Sequence, residues 1–203
     1  MRAGAHSEEL DQALVAIEAS IDSDPREAEE RIAGLSALLR HGLREGTTAH
    51  LDPDFLFNAL NAIAALLDDD ASGARAMTAR LRAFLRRAVT RDGRQVTLEE
   101  ELDLLQAYVD IERVRFGLRL HFEISCDLMA RRALVPPFLL LPLVQNAVGR
   151  LPRGGGRVSV SATVAGATLR VAVGTAERVY CIFLQAGTTP RHAIRDQGNP
   201  FEE

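Results

Sequence analysis

The segment "LDPDFLFNALNAI", residues 51–63, decides how the first half of this chain folds. Its apolar side chains recur every three or four residues, which predicts a helix from Phe55 to about Leu67 with one buried face. Pro53 is tolerated only in the first turn of a helix, so the helix should start beside it. The polar breaker "DDDASG" (68–73) and a second apolar helix from Ala74 to about Thr90 complete a helical hairpin.

A similar hairpin is predicted upstream, in residues 8–44, where "DSDP" (22–25) separates two apolar helices and Pro25 is placed to open the second. Shifting the chain by 46 residues aligns Leu10–Arg44 with Leu56–Thr90 without a gap. Two interpretations stay open: an internal duplication, or a chance match between helices that are rich in Ala and Leu. The aligned identities include Leu10/Leu56, Ala13/Ala59, Leu14/Leu60, Ile17/Ile63, Asp22/Asp68, Asp24/Asp70, Leu35/Leu81, Leu39/Leu85 and Arg40/Arg86.

From residue 96 onward the sequence mixes helical and strand patterns. "VTLEEELDLLQAYVDIERVRFG" (96–117) predicts a helix in which Thr97 and Glu100 form a capping box and Gly117 supplies the stop. Pro136 and Pro137 are expected to open another helix, which runs to about Val148. Alternating patterns predict a strand at 119–127, a hairpin at 156–173 that turns near Gly166, and a strand at 178–184.

Composition excludes several kinds of chemistry. All 24 basic residues of the 203 are Arg, so neither a lysine-dependent phosphate loop nor a Schiff base can form. The formal charge of −4 gives no global attraction to nucleic acid or to anionic membranes. The longest apolar run, Ala133–Val144, holds three prolines and is too short to span a bilayer, and no signal peptide is recognisable. The sequence therefore predicts a cytoplasmic protein without a membrane partner.

Four motifs occur in the order that is typical of the LytS-type sensor histidine kinases, and the chain resembles that family from about residue 51 to 173. In the family, the first motif carries a phosphoacceptor His on a dimerisation hairpin. The last is the Asn-containing helix of a GHKL (Bergerat) ATP-binding domain. The motifs are "DPDFLFNALNAI" (52–63), "LRAFLRRAV" (81–89), "VTLEEELDLLQAYVDIERVRFG" (96–117) and "LVPPFLLLPLVQNAV" (134–148).

This resemblance implies an α+β protein in which helical hairpins form a four-helix bundle ahead of a truncated GHKL-like α/β sandwich with a mostly antiparallel sheet. We expect residues 1–46 to form a hairpin that is a candidate duplicate of the next, and residues 47–95 to form the dimerisation hairpin. Residues 96–185 should form a degenerate ATPase-like domain, and residues 186–203 a flexible tail.

The acceptor position is altered. Asp54 stands where the family has its acceptor His, and a carboxylate is a poorer nucleophile whose charge repels an incoming phosphate. Asp54 also suits the start of a helix, so a structural replacement is favoured over an aspartyl phosphate. His50 is expected to lie outside the helix, because Pro53 separates it from Asp54, and His6 and His41 belong to the first hairpin.

The nucleotide-binding motifs are altered as well. Asn146 occupies the position of the family's Mg²⁺ ligand as a vestige, but Gln145 replaces the preceding Glu and cannot act as a base. Arg150 is a weak match for the basic residue that follows this motif. Gly174 alone remains of the Asp-x-Gly-x-Gly element, and no later Gly-rich segment suits an ATP lid. We therefore expect no catalytic residues, no metal and no cofactor, although the sequence leaves open whether the chain is an enzyme.

Contact surfaces are better preserved than chemistry. Residues 1–30 hold nine acids and two arginines, whereas residues 74–94 hold seven arginines and one acid. The expected partner is a response-regulator receiver domain or a partner histidine kinase, and the hairpins should make either a monomeric pseudo-dimer or a homodimer. No aromatic residues interleave the arginines, so a nucleic-acid partner is not favoured. The predicted interaction residues are Phe55, Phe57, Asn58, Arg82, Arg86 and Arg87.

The sequence thus favours a catalytically inactive histidine-kinase-like scaffold or regulator that binds proteins in a two-component-type pathway. The alternative is a divergent sensor histidine kinase or phosphotransferase that retains phosphoryl transfer through Asp54 or His50.

Overall fold

The computed structural model describes residues 2–42, 52–89, 94–152, 154–185 and 195–196, which form an α+β protein. The helices are α1 (Arg2–Ser23), α2 (Pro25–Gly42), α3 (Pro53–Leu66), α4 (Ala71–Val89), α5 (Leu98–Phe116), α6 (Leu128–Arg131) and α7 (Leu141–Gly149). The strands are β1 (Val96–Thr97), β2 (Leu120–Cys126), β3 (Leu134–Val135), β4 (Gly156–Ala165), β5 (Thr168–Thr175), β6 (Val179–Gln185) and β7 (Arg195–Asp196).

The chain divides into two compact units. The helical unit comprises Met1–Asp92 and Ala107–Arg115, and the sheet unit comprises Gly93–Gln106 and Phe116–Glu203. Helix α5 therefore contributes its C-terminal half to the helical unit and its N-terminal half to the sheet unit. Among the described helices, none is long and apolar enough to cross a membrane. The predicted tail falls outside the described residues, apart from 195–196.

In the helical unit, α1 packs on α2 and α4, and α3 packs on α4 and α2. Helix α3 begins at Pro53, two residues before the predicted Phe55, because the Asp52 carboxylate accepts a hydrogen bond of 3.0 Å from the Asp54 N–H and so caps the helix. The core of the two hairpins is formed mainly by Leu14, Ile17, Ile21, Ile32, Leu35, Leu56, Leu60, Ile63, Met77, Leu81 and Phe84.

Helix α4 starts at Ala71, three residues earlier than predicted. The carboxylate of Asp70 explains this, since it accepts hydrogen bonds of 2.8 Å from the Gly73 N–H and from the Ser72 hydroxyl. These bonds to the ionised form lower the pKa of Asp70. Part of the predicted breaker is therefore the capped first turn of the helix.

The sheet unit contains a sheet in the order β2-β4-β5-β6-β7 and a small ladder of β1 with β3. Strands β2 and β4 are parallel and the other pairs are antiparallel, so the prediction of a mostly antiparallel sheet is confirmed. The β4–β5 hairpin turns at Gly166, which has a φ of 60°, a conformation that glycine adopts without strain. The Thr97–Glu100 capping box and the stop at Gly117 are also confirmed.

The helix that carries the Asn motif starts later than predicted. Pro136 and Pro137 lie ahead of α7, which begins at Leu141, because Phe138 has a φ of 60° that no helix accommodates. The carboxylate of Glu101 holds this strained segment. It accepts hydrogen bonds from the Phe138 and Leu140 backbone N–H groups, at 3.0 and 3.1 Å. Glu101 is 1% exposed, so a buried carboxylate positions the start of α7.

Candidate functional site

The position of the phosphoacceptor lies in the first turn of α3. Asp54 is exposed there, and its backbone N–H donates a hydrogen bond to the Asp52 carboxylate. Two carboxylates thus occupy the helix N-terminus, where their charges complement the helix dipole. Such a pair repels an approaching phosphate. His50 lies outside the described residues.

Phe55 follows Asp54 but belongs to the core. It is 2% exposed, and its ring lies 5.2 Å from that of Phe84 and 4.8 Å from that of Tyr108. This predicted interaction residue therefore has no free surface to offer in the structure. Phe57 and Asn58 are half-exposed, which leaves them as surface residues of α3.

A buried polar cluster of Glu112, Tyr108 and Arg115 was not predicted from the sequence. Glu112 is 4% exposed, and it accepts hydrogen bonds from the Arg115 guanidinium at 2.9 and 2.5 Å and another from the Tyr108 hydroxyl. Burial raises the pKa of Glu112 although Arg115 opposes the shift, and burial followed by the charge of Glu112 raises the pKa of Tyr108. The only sequence signal was their helical spacing, which is equally typical of a solvated face.

This cluster leaves little space for a ligand. The cleft that Asn58, Glu112 and Arg115 line has a volume of about 10 Å³, close to that of one water molecule. It therefore suits a packed polar core and not a substrate.

Asn146 on α7 is exposed, but its side-chain oxygen is engaged. The Oδ1 atom accepts a hydrogen bond of 2.9 Å from Nε of Arg150, one helical turn further on. The resemblance assigns Mg²⁺ ligation to this oxygen, and a guanidinium bound to it occupies a lone pair and places a positive charge beside the site. The weak match of Arg150 to the family's basic residue stays a prediction.

Gln145 lies on the buried side of α7. It is 9% exposed, and its Nε2 finds no hydrogen-bond acceptor among the described residues. The side chain is neutral, so it can neither remove a proton nor orient a nucleophile as a carboxylate would. Its burial without a partner is unfavourable for folding.

The segment where the adenine-reading motif is expected forms a tight turn. Strand β5 continues to Thr175, past the predicted end near Val173, and Gly174 is paired within the sheet between Ser159 and Val179. The Thr175 N–H donates to the Arg178 carbonyl at 2.7 Å, which closes the turn into β6. The described chain leaves no room for a lid between β5 and β6.

A separate groove of about 470 Å³ lies on the sheet, on the face whose residues alternate with buried Val158 and Ala162. Small and hydroxyl side chains dominate it, among them Ser125, Ser159, Ser161, Thr163, Ala172 and Gly174. In the described part of the chain, no three His, Cys, Asp or Glu side chains are grouped to hold a metal ion.

The histidine kinase family model matches residues 45–120. The sensor histidine kinase BtsS of Escherichia coli K12 is 36% identical over 117 residues, and the sensor histidine kinase/phosphatase LytS of Staphylococcus aureus MRSA252 is 35% identical over 115. Over these residues the chain is similar to the LytS-type sensor histidine kinases. Each alignment covers 56% of this chain but only 21% and 20% of those proteins, so the chain spans about a fifth of their length.

A solved structure described as a bacterial phosphotransferase is also similar, at 21% sequence identity and a TM-score of 0.41 over 59% of this chain and 58% of that one. Within the histidine kinase match lie α3, α4 and α5, and hence both Asp54 and the buried Glu112 cluster. Asn146 and the β5–β6 turn lie beyond it.

Proposed function

We propose that this histidine kinase family member is a catalytically inactive regulator that acts by binding proteins in a two-component-type pathway. The observation that carries the proposal is the exposed carboxylate of Asp54, next to the half-exposed Asp52, at the position where the family uses a neutral imidazole. The kinase reaction needs a nucleophilic nitrogen there, and a carboxylate would need a bound metal ion to accept a phosphoryl group.

The nucleotide side supports the same conclusion. The side-chain oxygen of Asn146 is held by Arg150, and Gln145 supplies an amide in place of a carboxylate. The turn at Thr175 replaces the adenine-reading segment. A single change could be compensated by other residues, but an engaged Asn146, a missing carboxylate at Gln145 and a tight turn at Thr175 together support the proposal that the chain does not turn over ATP.

The surface proposed for the partner is the exposed side of α3 and the C-terminal end of α4. Phe57 and Asn58 lie on the first, and Arg86 and Arg87 are exposed on the second. The Arg82 guanidinium is bound by Asp11 and Glu18 within the helical unit. An acidic receiver domain, or the hairpin of a partner histidine kinase, fits this arginine-rich surface. We place this activity in the cytoplasm.

Calorimetric titration with Mg-ATP tests the proposal, together with incubation of the chain with γ-labelled ATP and with a phosphorylated receiver domain. We expect no saturable heat and no label on the chain. Label that disappears in Asp54→Ala or His50→Ala would establish the alternative, a divergent phosphotransferase. Label that persists in both variants, or tight ATP binding, would also contradict the proposal. The Asn61→Ala variant is the control, because Asn61 is exposed on α3 outside the altered positions.

A further inference from the structure

The two hairpins of the helical unit are capped in the same way. Asp24 accepts hydrogen bonds from the Arg26 and Glu27 N–H groups at 3.0 and 3.2 Å, just as Asp70 accepts one from the Gly73 N–H. The backbone agrees as well: the Asp24 N–H donates to Ser20 at 2.9 Å, and the Asp70 N–H donates to Leu66 at 2.8 Å. All these positions correspond under the same shift of 46 residues.

Seven buried positions of the first hairpin also correspond to buried positions of the second under this shift, whereas Ser20 and Ser36 correspond to the half-buried Leu66 and Arg82. The buried pairs are Leu14/Leu60, Ile17/Ile63, Ile21/Leu67, Ala28/Ala74, Ile32/Thr78, Leu35/Leu81 and Leu39/Leu85. Matching caps and matching burial in one register favour an internal duplication over a chance similarity.

The contacts between the hairpins follow an isologous pattern. If α1 corresponds to α3 and α2 to α4, the contact of α1 with α4 corresponds to that of α3 with α2, and both contacts are present. This is the pattern of a symmetric dimer, in which each copy presents the same surface to the other. Here both surfaces belong to one chain.

Charge distinguishes the two equivalent contacts between the hairpins, α1 with α4 and α3 with α2, which are called seams below. In the α1–α4 seam, Arg82 binds Asp11 at 2.8 Å and Glu18 at 3.6 Å, and Arg75 binds Asp22. The equivalents of Arg82, Asp11 and Glu18 in the other seam are Ser36, Phe57 and Ala64, which form no ion pairs. Two copies of the α3–α4 hairpin would therefore meet without the acids that bind Arg82.

We propose that the α1–α2 hairpin is a built-in second protomer, which fills the pairing surface of the α3–α4 hairpin and keeps the chain monomeric. The acids of α1 make pairing within the chain better than pairing between two copies, since only the former satisfies Arg82. The position equivalent to Phe55 is the exposed Glu9, so the first hairpin lacks the aromatic contact through which the second holds α5. The first hairpin thus supplies apolar packing and ion pairs to the helical unit.

The occupied surface also limits the choice of partner. A histidine kinase hairpin could pair with α3–α4 only by displacing α1–α2, whereas a receiver domain could bind the exposed side of α3 with the four helices intact. The inference stands independently of the proposed loss of catalysis, because it concerns packing and not phosphate chemistry.

The test uses the whole chain. Light scattering should give a monomer of 22.1 kDa, and copies labelled at Cys126 with donor or acceptor dyes should show no energy transfer after mixing. The charge-reversing double variant Arg75→Glu, Arg82→Glu should strengthen association about tenfold, since several attractions of this exposed kind become repulsions. The matched control is Arg80→Glu, because Arg80 is exposed on the same helix and forms no ion pair among the described residues.

If the double variant unfolds before it associates, the reciprocal changes Asp11→Arg, Glu18→Arg and Asp22→Arg should restore the helical circular dichroism signal and the monomer. A wild-type dimer would overturn the proposal. So would a double variant that behaves like Arg80→Glu, or one whose defect the reciprocal changes leave in place.

Discussion

The helical unit and the sheet unit satisfy their buried carboxylates differently, although both carboxylates lie on α5. Glu112 in the helical unit is held by side chains, the Arg115 guanidinium and the Tyr108 hydroxyl. Glu101 in the sheet unit is held by two backbone N–H groups ahead of α7. A backbone donor cannot be hydrated once it is buried, whereas Arg115, whose side chain is 40% exposed, can turn to water. Glu101 therefore fixes the backbone ahead of α7, whereas Glu112 fixes the packing of the side chains around it.

The largest effect should follow from Glu101→Ala. The substitution leaves the half-buried Phe138 N–H and the buried Leu140 N–H without this acceptor, and an unsatisfied buried donor costs about 1–3 kcal/mol. The strained φ of Phe138 then has less to hold it, so α7 should lose its fixed start. Chemical denaturation measures the loss, and Glu99→Ala is the control because Glu99 is exposed and its ion pair with Arg131, at 3.5 Å, involves no backbone N–H group.

The two tyrosines allow each unit to be followed separately. Tyr108 lies in the helical unit and Tyr180 in the sheet unit, and the chain has no Trp. In a Tyr108→Phe background the fluorescence reports only the sheet unit, where Glu101→Ala should lower the unfolding midpoint. An unchanged midpoint there would show that Glu101 does not support α7.

The second effect in size should come from Glu112→Ala, at about 1–3 kcal/mol. The loss comprises the cavity left in the core and the unpaired Tyr108 hydroxyl, while Arg115 is hydrated. A Tyr180→Phe background follows it through Tyr108 in the helical unit. Asp110→Ala is the matched control, since Asp110 pairs with Arg113 on the exposed side of the same helix. Equal losses in both variants would contradict the assigned role of Glu112.

The protonation of Glu112 gives the stability of the helical unit a pH dependence. Burial raises the pKa of Glu112 above the value of 4.5 that it has in an unfolded chain. The folded state therefore binds more protons between pH 4.5 and its own raised pKa, so stability is lost as the pH rises through that window. The slope for one carboxyl is at most about 1.4 kcal/mol per pH unit. The contribution of Glu112 is isolated by subtracting the free energy of unfolding of Glu112→Gln from that of the wild type at each pH. A difference that does not change with pH would contradict the raised pKa of Glu112.

The sequence predicted the parts of this structure that local chemistry determines. The Thr97–Glu100 capping box, the stop of α5 at Gly117 and the turn at Gly166 each depend on neighbours within four residues. The predicted start of α7 at Pro136 and Pro137 was wrong, because the true start depends on Glu101, which lies 37 residues before Phe138 in the chain. The burial of Glu112 could not be predicted either, because helical spacing does not show which face meets the core.

The smallest effect concerns a third buried polar group, Gln145, which unlike the two glutamates lacks a partner for one of its polar atoms. Its Nε2 has no acceptor among the described residues, so Gln145→Met should remove an unsatisfied donor at nearly constant volume. We expect the free energy of unfolding of the sheet unit to rise by about 1 kcal/mol, measured through Tyr180 in the Tyr108→Phe background. Gln145→Glu should lower it, because burying a carboxyl without a partner is worse than burying an amide. If Met destabilises as much as Glu, then Gln145 has an acceptor in solution and the contrast with Glu101 disappears.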